Sequence, residues 1–101
     1  MEAKERYKLY RQIMWDYSIG PDDIDAVLQG KKNSAGHYNK DMIVRKLLES
    51  YSWFTIVKLF SPEELSTLLS TEVINGLRLK SLKSKYEFVQ KRLQEIVRDA
   101  E

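Results

Sequence analysis

The sequence predicts an all-α fold: a compact bundle of five or six short helices closed by one longer C-terminal helix. Three observations carry this. Apolar residues recur at spacings of three and four along most of the chain, prolines and cap residues punctuate it at short intervals, and no paired strand pattern occurs. The chain has 101 residues, 43% hydrophobic and 32% charged, a globular composition that one domain over residues 1–101 accommodates.

The densest stretch is Ser52 to Leu69. Trp53, Ile56, Val57 and Phe60 fall on one helical face, with Phe54 and Leu59 off it. The run from Trp53 to Val57 would also suit a strand, but nothing nearby supplies a second one. Ser61-Pro62-Glu63-Glu64 then starts a new helix. Ser61 can cap a first-turn N–H, Glu64 can reach back to the Ser61 N–H, and Pro62 suits the first helical position. Two short helices meeting at a sharp corner are expected here.

The N-terminal segment, residues 3–17, reads as a first helix with Tyr7, Tyr10, Met14 and Tyr17 on one side and Trp15 near its end. Burial in the core is the reading for both tryptophans. Ser18 to Pro21 breaks this helix, and Pro21 opens another with Asp22, Asp23 and Asp25 in its first turn and Gly30 at its end. The three aspartates suit the positive end of the helix dipole and lack the ligand spacing of a calcium loop.

Residues 30–38 form a loop holding His37, the single histidine. Without a second histidine or any cysteine it has no zinc-site partners, and it reads as an anchor for the loop. Asn39 caps a helix running to about Tyr51, with Ile43, Leu47 and Tyr51 on one face beside Val44 and Leu48. Thr71 caps a short segment interrupted near Gly76. The longest helix, about Ser81 to Asp99, aligns Leu82, Tyr86, Val89, Leu93 and Ile96 in a heptad-like seam. That seam packs over the other helices in the favoured reading and joins two copies in the lesser one.

The absence of cysteine suits a reducing compartment, no apolar run reaches membrane-spanning length, and the first residues are charged rather than signal-like. A cytoplasmic protein without membrane association is expected. No phosphate-cradling loop, dinucleotide fingerprint, zinc-protease helix or kinase signature is present, so neither catalytic residues nor a cofactor or metal are assigned. A net charge of +2 is too small to imply a nucleic-acid partner by itself. Charge is nonetheless concentrated: Arg78, Lys80, Lys83, Lys85, Lys91 and Arg92 stand against Glu87 alone, a local balance of +5. Such a patch suits an acidic protein surface or phosphates, or simply a solvated face. A helix-turn-helix over residues 52–70 fits poorly, because Glu63 and Glu64 would sit where base edges approach.

Several segments look alike elsewhere: Ile13-Met14-Trp15-Asp16-Tyr17, Gly36-His37-Tyr38, Leu47-Leu48-Glu49, Trp53-Phe54-Thr55-Ile56 and Ser61-Pro62-Glu63-Glu64. Through them, over roughly residues 9–93, the chain resembles a group of short uncharacterised bacterial proteins. These look like the accessory, antitoxin-like partners of nucleotidyltransferase-type abortive-infection toxins. The resemblance implies a non-enzymatic module that binds another protein. Its expected contact surface is the basic set above together with any exposed part of Trp53 and Phe54. The alternative is a nucleic-acid-binding regulator using the same basic helix.

Overall fold

A computed structural model describes the backbone of residues 2–14 and 18–100, and their side chains as far as Val97. The described residues form seven α-helices and a minimal two-stranded ribbon. In chain order these are α1 (Ala3–Ile13), α2 (Pro21–Leu28), β1 (Ser34–Ala35), β2 (Tyr38–Asn39), α3 (Lys40–Ser50), α4 (Trp53–Leu59), α5 (Pro62–Leu68), α6 (Thr71–Asn75) and α7 (Lys80–Ala100). Six short helices and a long last one are the expected architecture.

α1 stops at Ile13 rather than running to residue 17, and the expected positions of Trp15 and Tyr17 lie outside the described residues. Met14, extended but buried, carries the chain away. The carbonyls ending α1 find partners on α3. Lys46 Nζ donates to the Ile13 carbonyl at 3.0 Å, and the Tyr51 hydroxyl, just past α3, donates to that of Leu9 at 2.6 Å. At the start of α2 the Asp23 carboxylate accepts from the Gly20 N–H, and Pro21 takes the first helical position.

The ribbon was not anticipated. Two residues per strand are too few to show a period in sequence, yet Ser34 pairs with Asn39 and Ala35 with Tyr38. Gly36 makes the turn with φ +60°, and a Cβ there would press on Ile19 Cδ1 at 2.8 Å. His37 stands exposed at the tip, with no hydrogen-bond partner among the described residues, so it anchors nothing there.

α3 behaves as its pattern requires. Asn39 Oδ1 accepts from the Met42 N–H at 2.9 Å, and Ile43, Val44, Leu47 and Leu48 are buried. The corner between α4 and α5 carries the expected capping box: Glu64 N–H donates to Ser61 Oγ at 3.2 Å, and Ser61 N–H donates to Glu64 Oε1 at 3.0 Å. The face of α4 is rotated from the expected one. Ile56 and Leu59 are buried and Val57 is exposed, because a two-turn helix takes its orientation from its neighbours. Ser70, not Thr71, caps α6, accepting from the Val73 N–H. Arg45 of α3 donates to the Glu72 and Val73 carbonyls of α6 at 2.8 and 3.2 Å. Gly76 leaves room for that guanidinium, which any Cβ would strike.

α7 lies mainly on α5 and also on α6. Tyr86 and Leu93 are buried, Gln90 donates to the Leu69 carbonyl at 2.8 Å, and the Tyr86 ring meets that of Trp53 edge-on at 6.1 Å. Among the described residues no helix is long and apolar enough to cross a membrane.

Removing the cap with Ser61→Ala should cost about 0.5–2 kcal/mol, read as a lower urea midpoint at unchanged slope. A second expectation concerns pH. Burial pushes the Tyr10, Tyr51 and Tyr86 hydroxyls above the ordinary tyrosine range, with the Asp25 charge adding to the rise at Tyr10. Folded pKa values above unfolded ones mean that the folded chain holds these protons more tightly. Their contribution is intact below about pH 10 and is lost as pH rises beyond it. Urea midpoints should therefore hold up to about pH 10 and fall progressively above it.

Candidate functional site

Each residue of an α-helix turns the chain by about 100°, so the sides of α7 follow from its sequence. Leu82, Tyr86, Val89 and Leu93 make the line that faces the core, and the first and third remain half-buried. A neighbouring line runs through Ser81, Lys85, Phe88, Arg92 and Ile96. Phe88 is 65% exposed and Ile96 53% exposed, large apolar residues in the same row. Ile96 was expected in the packed seam, but the helical turn sets it on this outer row, beside rather than in the buried line, and leaves it in solvent.

Between this row and Trp53 lies an open groove of about 600 Å³. Trp53, Phe88, Val89, Leu93 and Ile96 supply its apolar surface, and Lys85 and Arg92 its charge. Ser81 and Ser84 line its other end. Trp53 thus serves both the core and the groove: half-buried, it packs against Tyr86 while its free surface forms a wall. Phe54, 76% exposed, belongs to the outer face of α4 with Val57 and does not line the groove.

The basic residues that the sequence groups together are dispersed in space. Lys85 and Arg92, seven positions apart, share one line and both border the groove. Lys80 and Lys91, eleven apart, share another line with Glu87, about 120° around the helix from the first. Lys83 is half-buried on a third side. Arg78 precedes the helix, exposed, and its backbone N–H donates to the Glu49 carboxylate at 3.0 Å. Lys85 Nζ lies 5.7 Å from the Tyr86 ring centre, and Arg92 is 3.3 Å from Glu95, both partners exposed. The site residues that sequence reading missed are Phe88 and Ile96 as exposed contacts. Their signal was available: α7 carries more apolar residues than one buried stripe can use.

A second cavity, about 470 Å³, opens where α1, α2 and α5 meet, lined by Arg6, Tyr10, Asp25, Lys40 and Glu64 among others. Its charges compensate internally, two cations against two carboxylates. Arg6 lies 3.7 Å from Asp25, which also accepts from Gln29 at 2.8 Å. In the first turn of α2 Asp23 is likewise engaged, since Lys32 meets it at 2.6 Å and holds its carboxyl below the usual range, helped by the Gly20 N–H.

No protein-family model matches the chain, and no curated protein or solved structure matches it.

The two lines on α7 should separate cleanly by substitution. Phe88→Ser should change stability by no more than about 0.5 kcal/mol, as at other exposed positions. Tyr86→Ala should cost about 3–5 kcal/mol, the range for buried aromatics. Urea unfolding of both variants measures the contrast.

Proposed function

We propose that this protein is a non-enzymatic interaction module that docks another protein along the outer groove of α7. The observation that supports this is the row formed by Phe88 and Ile96 beside Trp53. Single exposed apolar residues are ordinary, but a contiguous apolar groove edged by polar groups is typical of a binding surface. Covering what remains exposed of Phe88 and Ile96 would stabilise a complex by about 1–2 kcal/mol each, enough for them to act as anchors. Lys85 and Arg92 at the edges suit an interface where Arg contributes contacts and Lys lies on the rim.

The resemblance to antitoxin-like partners makes a nucleotidyltransferase-type toxin the first candidate for what docks. A chain without cysteine suits such a role in the reducing cytoplasm. A nucleic-acid regulator would use the basic residues jointly, and their dispersal over three sides of α7 favours it less.

The test is capture with the tagged full-length protein from its native cell extract, nuclease-treated and at moderate salt. One stoichiometric protein should be retained, a nucleotidyltransferase-type enzyme under the toxin reading, and lost with Phe88→Asp and Ile96→Asp combined. Retention by that double variant would remove the groove from the account. Nucleic acid recovered without any protein partner would replace the reading with the regulator.

A further inference from the structure

We infer that the occupant of the α7 groove is an acidic amphipathic helix of the partner protein. This rests on the reading of the groove as a docking surface and adds what docks there. Length and charge both point to such a helix. From Ser81 to Ile96 the groove follows α7 for about 22 Å, matching four turns of a second helix laid alongside. Its apolar surface, Trp53, Phe88, Val89, Leu93 and Ile96, suits an apolar stripe repeating at three and four residues.

The ionised groups that line it are both cationic, Lys85 and Arg92, spaced about 10 Å along the axis. Two carboxylates seven residues apart on the incoming helix would meet both. Glu95, beside Arg92 and exposed, lies outside the lining, and such an exposed pair is weak enough to be exchanged for a partner's carboxylate. A second copy of this chain fits less well, since its own groove would bring the same two cations and no lining carboxylate.

The experiment uses the full-length protein, isotope-labelled, with three synthetic sixteen-residue helical peptides. All carry the same Leu stripe, and two flanking positions seven apart hold Glu, Gln or Lys. The Glu peptide should bind most tightly, about tenfold over the Lys peptide, with resonance shifts centred on Phe88 and Ile96. The charge-swapped variant Lys85→Glu with Arg92→Glu, both exposed positions, should reverse that order. Equal binding of all three peptides, lost on Phe88→Asp, would overturn the acidic-helix inference while leaving the docking surface intact. No shifts at Phe88 and Ile96 with any peptide would also overturn the inference, and the capture experiment would then judge the docking surface separately. Concentration-dependent self-association abolished by Phe88→Asp would assign the groove to a second copy. Tighter binding to anionic phospholipid vesicles than to the Glu peptide, through the same residues, would assign it to a lipid surface.

Discussion

The fold depends on α3. Six of its helices have eleven residues or fewer, below the length at which an isolated helix holds in water, so their stability is tertiary. α3 provides the common wall. Its inner face buries Ile43, Val44, Leu47 and Leu48, while its polar residues Arg45 and Lys46, with Tyr51 just beyond it, satisfy the carbonyl ends of α6 and α1. One helix therefore supplies both apolar contact and the hydrogen bonds that short helices otherwise lack. Local caps at Asn39, Ser61 and Ser70 finish the starts of α3, α5 and α6.

α7 stands in a different relation to this core. Its inner side seals the bundle through Tyr86, Gln90 and Leu93, but among the described residues nothing buries its side around Phe88 and Ile96. A helix needs one apolar stripe to pack, and α7 has two. The second stripe borders Trp53 of α4, whose ring also packs on Tyr86 of the first, so a docking surface there would rest on an aromatic pair shared with the core. The cavity near Tyr10, by contrast, balances its own charges and exerts little net pull on a charged ligand.

Much of the architecture was legible in the sequence because it is written in local chemistry. Pro21, Asn39 and the Ser61–Glu64 box mark helix starts wherever they occur, and the three-and-four spacing of α3 names its buried face. What was not legible depends on distant partners. The rotation of α4 that buries Leu59 and exposes Val57, the Arg45 bonds across to α6, and the Gly36 turn against Ile19 are all decided by neighbours remote in the chain. The candidate surface was half legible. Six basic residues read as one patch along the sequence, whereas helical geometry places only Lys85 and Arg92 at the groove, with Trp53 across from them and Phe54 elsewhere. Phe88 and Ile96 were hidden by the assumption that every apolar residue of a helix serves the core.

The central claim is that the outer row of α7 meets another protein. Site-specific photocrosslinking in living cells tests it most directly, with a photoreactive side chain placed in turn at Phe88, Ile96 and, across α7 from both, the exposed Gln94. The account expects one and the same crosslinked protein from the first two positions and none from the third. Crosslinks from Gln94 with none from Phe88 or Ile96 would contradict it.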